Sequence, residues 1–377
     1  MIFEVVYYFR SSKKMSNELQ AKLDELWNRV QSNEESISIK KQILNECNEI
    51  ITNTSIKDNR FLLNKLKLII HKAGKPMNLS LLAEEFEAVA KLEPNNIDVY
   101  ICLAETLIHE EKPDDAIMPL TFALTIKETP DIYILLSICE RRRKEKNLQR
   151  SLDYANKAVK LDMKNGKAWS NIGIAYLSMS GIENVKNALK AFKVSIVNGQ
   201  SNNADILMNL GTVYELLLDF RQAMKYYEEA LKITQGWSVA SSSLERLQNR
   251  MKNVSNSVTA IEKIRPKLKT KMLSRIKNDD EYIVADMPFN VKDPSQIILC
   301  FDKNGNIFSF GITQTVRSYL IAEKTIIKLK NSCEFNEISI NGKNIPYHVI
   351  ESLSMIKIIG GSTPSDFSPV SVSNLIA

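Results

Sequence analysis

The stretch AWSNIGIAYLSM (168–179) decides the fold, because the chain repeats it in altered form as NNADILMNLGTVYE (202–215). Trp169, Asn171, Gly173 and Tyr176 are answered by Leu207, Asn209, Gly211 and Tyr214, an offset of 38 residues. A second segment follows each copy, carrying Ala188, Phe192 and Ser195 after the first and Ala223, Tyr227 and Ala230 after the other. These are helical spacings, with a small residue where two helices cross and large side chains between them. At Gly173 or Gly211 a larger side chain would force the pair apart.

Upstream, the small crossing position recurs at Ser137 and Ala104, so the intervals along Ala104, Ser137, Gly173 and Gly211 are 33, 36 and 38 residues. Ser151, Ala155 and Ala158 accompany Ser137; Ala116, Leu120 and Ala123 accompany Ala104. Phe86 and the boundary KLEPNN (91–96) close an incomplete first pair. This is the tetratricopeptide pattern, and a stack of such pairs is a binding surface. Leu19, Leu23, Leu26, Trp27 and Val30 predict amphipathic helices that cover its open end. Beyond Trp237 a polar helix closes the other end.

The fold expected is mainly α with a small β domain: a tetratricopeptide α-solenoid followed by an OB-fold-like β-barrel. Its segments are a disordered extension (1–14), N-terminal helices (15–60), repeats (61–237), a capping helix (238–262), a basic linker (263–281), the barrel (282–361) and a flexible tail (362–377). Short β-rich runs and the Asn-Gly pairs at 304–305 and 341–342 predict about five hairpin-connected strands.

Composition excludes several classes. Apolar content of 44% and a net charge of +6 suit a globular chain, not a polycation. The five cysteines share no metal-type spacing and read as free thiols of a reducing compartment. No run reaches the roughly 18–20 apolar residues of a membrane helix, and Met1–Phe9 has no cleavage site for a leader. No phosphate-cradling glycine loop, metal set or nucleophile elbow is present, so no enzyme, metal or cofactor is expected. A cytoplasmic monomer is the default, with the nucleus as a second location.

Counting each crossing residue as position 8, the first helix of a pair turns positions 2, 5, 9 and 12 to the concave groove. Position 2 holds Asp98, Asp131, Lys167 and Asp205; position 9 holds Glu105; position 12 holds Arg141 and Glu215. Asn171 and Asn209 stand at position 6, where an amide can donate to and accept from a peptide backbone. Carboxylates would select a basic side chain and Arg141 an acidic one. Solvated surface charge is the competing reading. The groove counts as acidic overall, against a clamp for a terminal carboxylate.

The segment KIRPKLKTKMLSRIK (263–277) holds seven basic residues and no acidic one. Lys267, Lys269 and Lys271 alternate, and they can contact phosphate or simply be solvated. Phe308, Phe310, Tyr319 and Tyr347 are available either as a stacking platform for bases or as barrel core.

YYEEALKITQGW (226–237), KLKTKMLS (267–274), FSFGI (308–312) and NGKNIPYHVIES (341–352), following the two repeats above, resemble the tetratricopeptide repeat protein 5 family over roughly residues 75–361. That resemblance implies an array joined to an OB-fold domain. It also implies a ribosome-bound reader of the nascent tubulin N-terminus, Met-Arg-Glu-(Ile/Cys), which triggers tubulin mRNA decay through adaptors and a deadenylase. A nuclear stress-response role with transcription co-activators is implied as well. The family's groove arginine falls on Arg141, after Leu136-Ser137, and its groove aspartate on Asp205; its ribosomal-RNA lysines fall on Lys269 and Lys271. Two departures stand out. A groove glutamate falls on Val239, and the stretch between SYLIAE (318–323) and NGKN is short for the usual OB helix. The function expected is a non-enzymatic peptide-reading adaptor, with a co-activator scaffold or a generic repeat adaptor as alternatives.

Overall fold

The computed structural model describes residues 17–30, 37–53, 59–286, 295–313, 325–329, 334–340, 343–350 and 355–359. The expected extension 1–14 and tail 362–377 lie outside these, as do Tyr319, Cys333 and the side chain of Tyr347.

Helix α1 covers residues 17–30 and α2 covers Ile37–Asn53. Ten helices then alternate between 13 and 14 residues: α3 Arg60–Lys72, α4 Leu79–Leu92, α5 Ile97–His109, α6 Pro113–Ile126, α7 Pro130–Arg142, α8 Leu148–Leu161, α9 Gly166–Ser178, α10 Ile182–Ser195, α11 Ala204–Leu216 and α12 Phe220–Ile233. The first pair, expected to be incomplete, is a full one. Helices α13 (Ser238–Glu262) and α14 (Pro266–Leu273) follow.

Local sequence sets these ends. Asn59, Asn78, Asn147 and Asn203 each accept a hydrogen bond from a backbone N–H of the first turn that follows. Three turns inside a pair close alike. The N–H groups of Lys75, Lys112 and Asp219 donate to the carbonyls of Ile70, Leu107 and Tyr214, five residues back. Such a turn needs one left-handed residue, supplied by Gly74 at φ +98°, Glu111 at +60° and Leu218 at +65°.

The chain divides into two compact units, Met1–Ala175 with Ala191–Ile206 and Ala230–Trp237, and Tyr176–Lys190 with Leu207–Glu229 and Ser238–Ala377. In the first, a Cβ on Gly173 would lie 2.7 Å from the Phe192 ring. At the corresponding crossing of α7 and α8, the buried Ser137 and Ser151 hydroxyls each hydrogen-bond the other residue's carbonyl, at 2.7 and 2.9 Å. In the second unit, a Cβ on Gly211 would collide with the Tyr227 ring. The Tyr227 hydroxyl donates to Glu215 at 2.9 Å, and Glu215 also receives Arg246 at 2.7 and 2.9 Å and Arg250 at 2.6 Å. Glu215 therefore fastens α13 to α11; it is not the open groove position expected from its register.

The second unit ends in a seven-stranded sheet: β1 Glu281–Asp286, β2 Ser295–Phe301, β3 Ile307–Thr313, β4 Ile326–Leu329, β5 Glu334–Ile340, β6 Lys343–Ile350 and β7 Ile356–Ile359. Their order is β5-β6-β3-β2-β1-β4-β7, antiparallel throughout except for β3 beside β6. Among the described residues the outer strands β5 and β7 are not paired with each other. Seven strands stand among the described residues where about five were expected, and the run YHVIESLSMIKII (347–359) contributes to two of them, because β6 pairs with β3 and β5 while β7 pairs with β4. Phe310 is fully buried with Tyr282, Val284, Ile298 and Ile327, and Phe308 packs against this cluster. Both rings belong to the core, which removes them from any stacking platform.

Because alanine normally favours a helix over glycine by about 1 kcal/mol, Gly211→Ala is a test with a sign. The Tyr227 ring makes it destabilising, by about 1–3 kcal/mol in chemical denaturation. A neutral or stabilising result would mean that α11 and α12 do not cross there.

Candidate functional site

Arg141 occupies the last turn of α7, and neutral oxygens hold it. Its Nη1 donates to Ser137 Oγ at 2.9 Å and Ser151 Oγ at 3.1 Å; its Nη2 donates to Asn171 Oδ1 at 2.8 Å. Among the described residues no carboxylate is paired with Arg141. Burial pushes its pKa down to about 9, and the neighbouring Arg142 adds to the effect. Asn171 on α9 is only 3% exposed, and among the described residues its Nδ2 has no acceptor. A buried amide N–H without a partner costs free energy unless a ligand supplies the oxygen.

These two groups line a cavity of about 280 Å³ within the first unit. Asp131 lines it too, from the first turn of α7. Burial raises the Asp131 carboxyl, Lys167 on α9 lowers it, and the Asp98 charge raises it. Lys72 of α3 and Glu105 of α5 form a buried ion pair on the wall, and the Lys72 ammonium also lies 4.4 Å from the centre of the Trp27 ring. Ile134, Ile138 and Ile174 supply apolar surface.

The lining therefore carries four cations, Lys72, Arg141, Arg142 and Lys167, against two carboxylates, Glu105 and Asp131. This corrects the expectation of an acidic groove. Register counting from α5 onward omitted α3, although Lys72 stands 33 residues before Glu105, one repeat interval earlier. It also omitted Arg142, next to the counted position. His109, an exposed residue, also lines the cavity, 6.0 Å from His71. Desolvation, then Lys72, His71 and Arg142, push its pKa down to about 3.

Not every expected groove residue converges here. Asp98 is exposed in the first turn of α5, and Asp205 is half-buried in the first turn of α11, its N–H donating to Asn203 Oδ1 at 3.0 Å. Neither lines the cavity, although Asn203 does. Asn209 belongs to the second unit.

The basic segment is partly helical. In α14, Lys267 and Lys271 are exposed, whereas Lys269 lies 4.7 Å from the centre of the Phe301 ring and against Gly305 of the β2–β3 turn. A cation engaged with an aromatic face is less available to phosphate. Alternation did not reveal this, because residues two apart diverge on a helix.

No protein-family profile matches the sequence, and no curated protein matches it. Among solved structures, the Cut9–Hcn1 hetero-tetramer of APC/C is similar at 16% identity, covering 62% of this chain and 50% of that one, with a TM-score of 0.46. TTC0263, a thermophilic TPR protein in Thermus thermophilus, matches at 14% identity over 51% of this chain and 98% of its own, with a TM-score of 0.43. YrrB, described as a TPR protein with an unusual peptide-binding site, matches at 16% identity over 52% and 96%, with a TM-score of 0.35. Likenesses at this level carry no functional argument. The tetratricopeptide-type assignment stands on the chain's own helical pairs and their small crossing residues.

His109 yields a prediction in pH. Its folded pKa of about 3 lies below the ordinary value of 6.5, so on acidification the unfolded chain takes the proton first. Stability from this group is therefore present above pH 6.5 and is lost as pH falls toward 3. Urea denaturation should show His109→Gln losing less stability than wild type across that window. Identical acid losses would mean that solvent screening at this exposed ring cancels the shift.

Proposed function

We propose that this chain is a non-enzymatic peptide-reading adaptor whose recognition site is the Arg141–Asn171 end of the cavity. One observation carries the reading: a half-buried guanidinium held by neutral oxygens beside a buried amide N–H that has no acceptor among the described residues. An acidic ligand side chain on Arg141, with a backbone carbonyl on Asn171 Nδ2, satisfies both. Asp131 and Asp205 are the carboxylates nearest in register for a basic ligand residue.

A ligand with both charges fits the resemblance to the tetratricopeptide repeat protein 5 family. In that reading the ligand is the Met-Arg-Glu start of nascent tubulin, and the ribosome is the docking platform. Messenger-RNA decay adaptors act downstream, in the cytoplasm. The sheet is then an OB-like module: a β1–β2–β3 meander with β4 returning on β1 and β6 parallel to β3 supports a partly open Greek-key barrel. Ribosomal RNA would meet Lys267 and Lys271, the exposed pair of α14.

Calorimetry with a Met-Arg-Glu-Ile peptide tests the groove. A charged hydrogen bond there is worth about 1.5–3 kcal/mol, so Arg141→Ala should weaken binding about tenfold or more. Replacing the peptide's Glu by Gln should cost the same in wild type and nothing further in the variant. Undiminished binding by Arg141→Ala would sink the site, and equal binding of unrelated peptides with the same charge pair would favour the co-activator scaffold.

Ribosome co-sedimentation tests the helix. Reversing Lys267 and Lys271 to Glu should release ribosomes and flatten the salt dependence while leaving peptide affinity intact. Association indifferent to both salt and charge reversal would exclude a phosphate contact.

A further inference from the structure

A second concave surface lies within the first unit, apart from the cavity just described. Its floor is α5, which presents Tyr100, Leu103 and Leu107 at i, i+3 and i+7, one face of a helix. Helices α4 and α6 form its walls, and the cleft between them holds about 820 Å³. The α4 wall offers the small Ala83 and Ala90, which leave room for a bulky side chain. The α6 wall offers Met118 and Phe122, which are 78% and 47% exposed. So much apolar surface open to water marks an interaction site more often than a solvated face.

Pro119 stands in the interior of α6, where it has no N–H for the Asp115 carbonyl four residues earlier, so the helix is loosened along this wall. The Phe122 ring is fixed at 5.0 Å from the Tyr100 ring, so the aromatic edge of the cleft is preformed.

Charge selects the occupant. The rim carries Glu84, Glu87, Glu110, Asp114 and Asp115 against only Lys91 and Lys112. Lys112 is engaged with Glu110 at 2.9 Å, and Asp114 with Arg143 at 3.0 Å. Among the described residues Glu84, Glu87 and Asp115 form no ion pair, so each wall keeps a carboxylate for an incoming cation. From Ala83 to Lys91 the α4 wall runs about 12 Å at 1.5 Å per residue. That accommodates three apolar anchors at i, i+4 and i+7 on a docked helix, which span about 10.5 Å.

We propose that the α4–α6 cleft is a second docking surface, and that it takes a basic amphipathic helix of a partner protein. The apolar stripe of that helix lies on Leu103, Leu107 and Met118, and its flanking Lys or Arg residues meet Glu84, Glu87 and Asp115. The chain then holds two ligands of opposite anchoring charge, an acidic group at Arg141 and a basic helix here, and so joins two partners.

The probe is a fluorescent peptide of about 18 Leu and Lys residues arranged at helical spacing, titrated with the full chain and followed by anisotropy and circular dichroism. Wild type should bind it with a gain in helicity and should hold a Glu-for-Lys counterpart about tenfold more weakly or worse. Met118→Asp separates docking from unspecific charge: it adds a negative charge yet should weaken the Lys peptide about tenfold, and Glu84→Lys with Glu87→Lys should do the same. Both sites are exposed, so folding is preserved, and the variants' circular dichroism checks it. Arg141→Ala should leave this binding unchanged, which keeps a failure here distinct from a failure of the acidic-ligand site. Tighter binding by Met118→Asp, no binding by wild type, loss on Arg141→Ala, or binding without helix formation would each overturn the proposal.

Discussion

Everything in the helical part depends on how closely two helices approach at their crossing. Phe192 fills the space a Cβ would take at Gly173, and Tyr227 does the same at Gly211. Packing density leaves no slack at such a contact, so the residue on one helix dictates the size of the other. Ser137 obeys the size rule and breaks the polarity rule. Its hydroxyl is fully buried and must be satisfied, which Ser151 across the crossing does. The same two hydroxyls then accept from Arg141. A departure from the apolar crossing, made for packing, thus creates the oxygen cradle that lets a cation stay buried without a carboxylate. Local rules broken in one place are expected to mark function.

Electrostatics divides the charged residues into two groups. Lys72 with Glu105 is a buried ion pair, and Glu215 gathers Arg246, Arg250 and the Tyr227 hydroxyl, so these charges act as structure. Arg141 instead rests on neutral oxygens, and among the described residues the Asn171 Nδ2 beside it has no acceptor. Register places Glu105, Glu215 and Arg141 alike on the groove side of their helices and cannot distinguish them; the partner decides, and partners come from other helices. In the α4–α6 cleft the division recurs at the surface, where Lys112 and Asp114 are ion-paired while, among the described residues, Glu84, Glu87 and Asp115 form no ion pair.

The repeated Asn-x-Gly-x-x-Tyr segments, the crossing residues and the helical pairs were legible in the sequence because each depends on side-chain size at a fixed helical period. Asparagine caps and the Asn-Gly turn at 304–305 follow from equally local backbone chemistry. Arg141, Asn171 and Asp131 were placed on one surface by the same periodicity. What escaped were features set by contacts distant in sequence. Lys269 is drawn onto Phe301, and Lys72 and Arg142 tip the charge balance of the cavity to positive.

The sequence by itself determined the paired-helix architecture and the presence of a small C-terminal sheet, since periodicity and residue volume act within a helix or between neighbours in the chain. It also determined which residues carry the charge. Only the tertiary structure decided which charges are already paired, which polar atoms lack a partner, and that Phe308 and Phe310 are core. Those properties depend on burial and on the identity of a neighbour dozens of residues away, and a linear pattern contains neither.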